Sequence, residues 1–179
     1  MRVTRLLVAL LVLLPAAATA QSGGEDVEAR IRNALSAAPP AVAEIATVAE
    51  HDGTILREGS SDWVCLPDLP DVPNNAPMCL DATWREVIAA WQDRREPEIT
   101  AVGISYMLQG DMPVSNTDPF AEGPTDDNEW IAEGPPHIMI VVPDAAQLVH
   151  LPTDPTNGGP WVMWKGTPYA HIMIPTVPR

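Results

Sequence analysis

The residues of this sequence best suited to chemistry are two copies of a His-Ile-Met-Ile tetrapeptide, at 137–140 and 171–174. Each copy follows a tryptophan after six intervening residues, Trp130 in the first case and Trp164 in the second. Both intervals contain glycine and proline. The shared frame predicts two similar β-strands that belong to one sheet.

Side chains alternate between the two faces of a strand, and this alternation groups the residues of the repeat. His137 and Met139 share one face of the first strand, and His171 and Met173 share one face of the second. If the strands are neighbours, two imidazoles and two thioethers meet on one surface. This soft donor set suits Cu(I), so we predict a copper site formed by His137, Met139, His171 and Met173.

The alternative to a metal site is an ordinary core, since methionine is a flexible gap-filler in protein interiors. A buried histidine beside it needs only a backbone carbonyl as hydrogen-bond partner. The sequence assigns no catalytic residue and no cofactor other than the possible copper ion. The first functional hypothesis is therefore a non-enzymatic ligand-binding protein.

A second hypothesis pairs a histidine with the acidic segment 109–136, which carries seven Asp and Glu residues and no Lys or Arg. A carboxylate of this segment beside His171 would give a general acid–base pair and a small exported hydrolase. Histidine with carboxylate would also suit Zn²⁺. The sequence contains no H-E-x-x-H, G-x-S-x-G or glycine-rich phosphate motif, so no further feature supports hydrolysis.

A third hypothesis is a structural or interaction module with an aromatic contact surface. Its residues would be Trp130, Trp161, Trp164 and Tyr169, meeting a protein or a small ligand. Tryptophan suits such contacts because it joins a large apolar area to one polar N–H group. The alternative is that these rings supply core volume in a chain with one Phe.

Two cysteines, Cys65 and Cys79, flank a segment that contains four prolines. In an oxidising compartment this spacing predicts one structural disulfide. A metal-binding thiolate pair and a redox pair are the alternatives, but redox pairs usually have the C-x-x-C spacing, which is absent.

The N-terminus has the pattern of a signal peptide, residues 1–20. Arg2 and Arg5 precede an apolar run, Leu6–Leu14, and Ala18-Thr19-Ala20 is a small-x-small cleavage site. The run is too short to span a bilayer, which takes about 20 residues. We therefore predict a periplasmic or secreted protein with one globular domain, 21–179.

The charge balance excludes some classes of partner. The chain has 24 Asp and Glu against 10 Lys and Arg, a formal net charge of −14. Binding to phosphate backbones needs clustered Lys and Arg, so nucleic acid is not an expected partner. We also expect no membrane insertion of the mature chain.

Hydrophobic patterning predicts two amphipathic helices. Apolar residues recur at i, i+4, i+7 and i+8 from Val27, and a second helix begins after Asp81, a typical N-cap. The predicted strands are 46–50, 54–58, 63–66, 99–108, 137–140, 161–164 and 171–174. Short connections favour hairpins, so the expected fold is α+β: a mostly antiparallel sheet with two helices on one face and long proline-rich loops. A β-sandwich with peripheral helices is the alternative.

Longer motifs also lie along the mature chain. They are W-V-C-L-P-D at 63–68, Y-M-L-Q-G at 106–110, S-N-T-D-P at 115–119 and the W-x6-H-I-M-I frame. In these motifs the chain resembles a family of exported bacterial proteins of uncharacterised activity. The resemblance covers most of the mature chain and implies a secreted or periplasmic protein, and no catalytic residue follows from it.

Overall fold

The computed structural model describes residues 19–177, so the predicted signal peptide lies outside the described residues except for Thr19 and Ala20, which begin the first helix. The helices are α1 (Thr19–Leu35), α2 (Pro40–Ile45) and α3 (Ala82–Gln92), with a 3-10 helix at Ala145–Leu148. The strands are β1 (Thr47–Ala49), β2 (Ile55–Arg57), β3 (Val64–Leu66), β4 (Met78–Leu80), β5 (Gly103–Met107), β6 (Val114–Ser115), β7 (Trp130–Ile131), β8 (His137–Val141), β9 (Trp161–Met163) and β10 (His171–Pro175). Within the described range, no helix has the length and hydropathy needed to cross a membrane.

Eight of these strands form one sheet in the order β2-β1-β3-β4-β5-β8-β10-β9, and β6 pairs with β7 in a small second sheet. Among the described pairs, β1 and β3 run parallel and the others are antiparallel. The predicted 46–58 hairpin is formed by β1 and β2, and the two His-Ile-Met-Ile repeats lie in adjacent strands, β8 and β10. The predicted α+β class with a mostly antiparallel sheet is confirmed.

The positions of the helices differ from the expectation that both cover one face. Ala34 of α1 packs with Cys65 and Cys79, whereas Trp84 of α3 packs with Leu80. Cys79 and Leu80 are consecutive residues of β4, so their side chains point to opposite faces of the sheet. The two helices therefore cover opposite faces, and the face that packs against α3 is called the inner face below.

The predicted N-cap Asp81 begins α3 and ties it to the sheet. One carboxylate oxygen accepts a hydrogen bond from the backbone N–H of Trp84 at 2.8 Å, and the other accepts from the N–H of Ile104 at 2.6 Å. Trp84, Val87 and Ala90 are the buried residues of the helix, at a helical spacing. Asp81 thus fixes the apolar side of α3 over β4 and β5.

The predicted disulfide between Cys65 and Cys79 is present, and its half-cystines are direct cross-strand partners in β3 and β4. Both residues are fully buried on the α1 side. The bond therefore joins two neighbouring strands and closes the proline-rich segment 67–77 between them.

Candidate functional site

The four residues of the predicted copper site all lie on the inner face. His137 and Met139 in β8 are 0% and 7% exposed, and His171 and Met173 in β10 are each 1% exposed. The isoleucines between them are half-buried on the opposite face. The predicted site requires adjacent strands and a shared face, and it also requires that both His-x-Met pairs converge on one point that solvent can reach.

The strand register orders the four side chains along this face. Met173 lies directly opposite Met139, whereas His137 lies opposite Pro175 and His171 lies opposite Met163 of β9. The thioethers therefore form a central pair with one imidazole toward each end. The arrangement is linear along the strands rather than the compact square of ligands that two parallel copies would give.

Both imidazoles are fixed by the same kind of hydrogen bond. Nδ1 of His137 donates to the carbonyl oxygen of Pro135 at 2.8 Å, and Nδ1 of His171 donates to that of Tyr169 at 2.9 Å. A carbonyl oxygen can only accept, so the proton of each neutral ring is on Nδ1 and the lone pair is on Nε2. Neither Nε2 has a hydrogen-bond partner in the described structure.

Two tryptophans enclose His171. The rings of Trp84 and Trp164 meet it edge-on, with centroid distances of 5.1 and 5.0 Å. Burial lowers the pKa of His171 from 6.5 to about 4; the carbonyl of Tyr169 opposes this shift, and the charge of nearby His137 adds to it. The ring is therefore neutral at physiological pH, with its Nε2 lone pair available.

Ser105 of β5 belongs to the same layer. It lies opposite Met139 in the register, is fully buried, and its hydroxyl oxygen has no hydrogen-bond partner in residues 19–177. Buried polar atoms without partners are rare in folded proteins. Together with the two Nε2 atoms of His137 and His171, three buried polar atoms of the inner face have no hydrogen-bond partner among the described residues.

The acidic segment contributes Asp111, which approaches His137 rather than the predicted His171. Its Oδ2 lies 3.9 Å from Nε2 of His137, beyond hydrogen-bond distance. Burial raises the pKa of Asp111, against the opposing effects of His137 and of the Met112 N–H. Because each histidine uses Nδ1 on a carbonyl, no carboxylate orients either ring, and the hydrolase hypothesis gains no support from this geometry.

Two of the four residues of the predicted aromatic contact surface are buried, so the prediction that these two residues meet a partner is wrong. Trp161 is 0% exposed and Tyr169 is 4% exposed, and the hydroxyl of Tyr169 donates to the carbonyl of Arg95 at 2.7 Å. Trp130 and Trp164 are half-buried. Trp161 and Tyr169 supply core volume and are not exposed for contact with a partner.

The sequence reasoning did not identify Asn116, which fastens the acidic segment to the sheet. Its side-chain oxygen accepts from Nε1 of Trp161 at 3.0 Å, and its amide donates to Glu129 at 2.6 Å and to the carbonyl of Thr153 at 2.9 Å. Its own backbone carbonyl accepts from the N–H of Trp164 at 2.8 Å. A residue that joins three segments in this way leaves no periodic signal in the sequence.

Among the described residues, no three or more His, Cys, Asp or Glu side chains are grouped so that they could hold a metal ion. Comparisons of the chain with protein-family models, with curated proteins and with solved structures give no match.

Proposed function

We propose that this protein binds Cu(I) at the inner face, with Met139 and Met173 as sulfur ligands and the Nε2 atom of one flanking histidine, His137 or His171, as the nitrogen ligand. One observation carries the proposal. Two buried imidazoles, each with an Nε2 atom that has no hydrogen bond among the described residues, lie on either side of a cross-strand pair of thioethers. An ion bound beside the thioethers would satisfy a nitrogen atom that otherwise remains buried without a hydrogen bond.

The orientation of the histidines supports this proposal. Histidines that bind metals almost always donate the other ring N–H to a carboxylate, a carbonyl or water, which fixes the tautomer and the ring plane. His137 and His171 both have such a bond through Nδ1. The lowered pKa of His171 also means that protons compete with a metal for its Nε2 only below about pH 4.

An exported location is part of the proposal. The disulfide between Cys65 and Cys79 is typical of an oxidising compartment, and the signal-peptide pattern of residues 1–20 predicts export to the periplasm or the exterior. Soft-metal handling is consistent with that location. We propose a non-enzymatic binding role because Nδ1 of each histidine donates to a backbone carbonyl, so no carboxylate orients either ring, and Asp111 lies 3.9 Å from Nε2 of His137, beyond hydrogen-bond distance.

The test is a Cu(I) titration against a chromophoric chelator. Because the four candidate ligands are less than a tenth exposed, the ion is added both to folded protein and during refolding from denaturant. The proposal predicts one ion per chain and at least a tenfold loss of affinity in the Met139→Leu/Met173→Leu double variant, about 1.4 kcal/mol. Leucine preserves the apolar volume, so this variant is expected to fold.

Met78→Leu is the matched control, since Met78 lies on the inner face in β4, away from both histidines. Its Cu(I) affinity should stay within twofold of the unmodified protein. If the unmodified protein fails to compete with the chelator in either format, or the double variant binds as tightly as the control, the proposal is wrong.

A further inference from the structure

A groove lies between α3 and the proline-rich segment 67–77. It has a volume of about 330 Å³. Its floor contains Leu66, Met78 and Met107, which are neighbours across β3, β4 and β5, and its walls include Ile88 of α3 and Leu69 of the proline-rich segment. Leu69 is 37% exposed, so the apolar lining is open to solvent on this side.

The dimensions of the groove suit a small molecule. A cavity of roughly 150 Å³ holds one benzene molecule, and ligand pockets commonly start near 300 Å³. The groove at about 330 Å³ therefore accommodates about ten to twelve non-hydrogen atoms. Methionine side chains adapt to the shape of a flexible apolar ligand, and two of them line the floor.

Of the charged or titratable residues that line the groove, two already have partners in the protein. The carboxylate of Asp68 accepts from the backbone N–H of Ala76 at 3.0 Å, and Nε2 of His51 donates to the carbonyl of Pro67 at 2.8 Å. Arg85 on the α3 wall differs from them. Its guanidinium forms no hydrogen bond and no ion pair with any side chain that the structure describes.

Each of the other described arginines has a partner: the guanidinium of Arg57 donates to the carbonyls of Ala43 and Ala46, and that of Arg94 lies over the ring of Phe120. Arg30, Arg32 and Arg95 each form an ion pair with Glu or Asp, although the formal net charge of −14 leaves many more carboxylates than arginines. Among the described residues that line the groove, Arg85 is thus the only charged or titratable one whose side chain has no hydrogen bond and no ion pair within the protein. Guanidinium binds carboxylate through two parallel hydrogen bonds.

We propose that this groove binds an aliphatic carboxylate of about ten carbons. The hydrocarbon chain lies on the methionine floor, and the carboxylate group pairs with Arg85. Apolar burial supplies affinity, and the ion pair sets the preference for an acid over an alcohol. The inference is independent of the proposed copper site, because Arg85 and Met78 belong to neither His-x-Met pair.

Calorimetric titration with decanoate and with decan-1-ol tests this inference on the full mature protein. We expect one decanoate per chain, and Arg85→Gln should weaken decanoate binding by about tenfold while leaving decanol binding unchanged, since a hydrogen bond to a charged group typically contributes that much. Arg32→Gln is the matched control, because Arg32 is an exposed arginine on α1 that does not line the groove. Its affinity for both probes should equal that of the unmodified protein.

A second variant tests the apolar floor. Ala89 of α3 lines the groove, so Ala89→Phe should fill it and abolish binding of both probes. The inference is wrong if decanoate shows no saturable binding to the unmodified protein, or if Arg85→Gln binds decanoate normally. Normal binding by a folded Ala89→Phe variant would equally overturn it. Arg85 is exposed, so the Arg85→Gln variant should fold. If Ala89→Phe does not fold, the Arg85→Gln result decides the question alone.

Discussion

His171 is held between Trp84 and Trp164, and burial lowers its pKa to about 4. In the unfolded chain the same imidazole has a pKa near 6.5. Between these values the unfolded state takes up a proton that the folded state does not, so acid favours unfolding. The stability associated with the neutral ring is complete above pH 6.5 and is lost progressively as the pH falls toward 4.

This linkage gives the first prediction. The free energy of unfolding should fall by about 3 kcal/mol between pH 7 and pH 4 through His171 alone, at about 1.4 kcal/mol per pKa unit. Urea unfolding of the His171→Phe variant, which cannot take up that proton, should show a correspondingly smaller loss. His150→Gln, at an exposed position, serves as control and should retain the full pH dependence. Equal pH dependence in all three proteins would contradict the assignment.

Asp111 changes the stability with pH in the direction opposite to His171. Its pKa is raised by burial above the ordinary 3.8, so the neutral carboxyl suits its site and the folded state loses stability as the pH rises through the raised pKa. Asp111→Asn keeps the shape and removes the charge. We expect a gain on the order of 1 kcal/mol at pH 7, or about 2–4 °C in Tm, vanishing below pH 3.8.

Thermal unfolding of this variant at several pH values checks the expectation, with Asp126→Asn as an exposed control that should change little. A lower Tm for Asp111→Asn at pH 7 would show that the carboxylate is stabilised there, contrary to the direction of its pKa.

At the scale of elements, Asn116 determines how the acidic segment sits on the sheet. Its side chain joins Trp161 of β9 to Glu129 and Thr153, and it is 2% exposed. Asn116→Ala removes these bonds and leaves buried polar groups without those partners, so we expect a loss of about 2–3 kcal/mol. Chemical denaturation measures this loss. Asn157→Ala, in an exposed turn, should cost less than about 0.5 kcal/mol, and equal losses would mean that Asn116 has no special role.

The sequence predicted those elements whose signal is local. The Asp81 N-cap defined the start of α3, and the repeated tetrapeptides predicted β8 and β10 because strand alternation depends only on neighbouring residues. The parallel pairing of β1 with β3 was not predictable in this way, since strand order depends on contacts between residues far apart in sequence.

The placement of the two helices on opposite faces was not predictable from the sequence for a related reason. Cys79 and Leu80 are both apolar and buried, so β4 has apolar residues on both faces. Its sequence pattern therefore does not indicate which face a helix covers. The sequence predicted that the four side chains of the candidate site share one face of the sheet, but it did not predict their order along that face. The register that separates His137 from His171 follows from the antiparallel pairing, which reverses the second copy relative to the first.

At the scale of the whole molecule, methionine is concentrated on one side of the sheet. The six methionines of the described chain lie in the core beneath α3 or pack against it: Met78, Met107, Met112, Met139, Met163 and Met173. The opposite core consists of alanines, Val48 and the disulfide. Packing alone gives methionine no preference between the two faces, whereas a soft-metal site requires the thioethers to be together.

A ligand that binds only the folded state raises its stability, and this gives a prediction for the whole protein. Ag(I), a redox-stable substitute for Cu(I), should add about 2.7 kcal/mol at one hundred times its Kd, which corresponds to about 5–10 °C in Tm. The Met139→Leu/Met173→Leu variant should lose this shift but keep the shift produced by decanoate. Arg85→Gln should keep the Ag(I) shift and show a smaller decanoate shift, about half at one hundred times the original Kd. Zn²⁺ should have little effect, because the thioethers of Met139 and Met173 are poor ligands for it. An equal Ag(I) shift in the methionine variant would place the ion elsewhere in the molecule and exclude the inner face as its site.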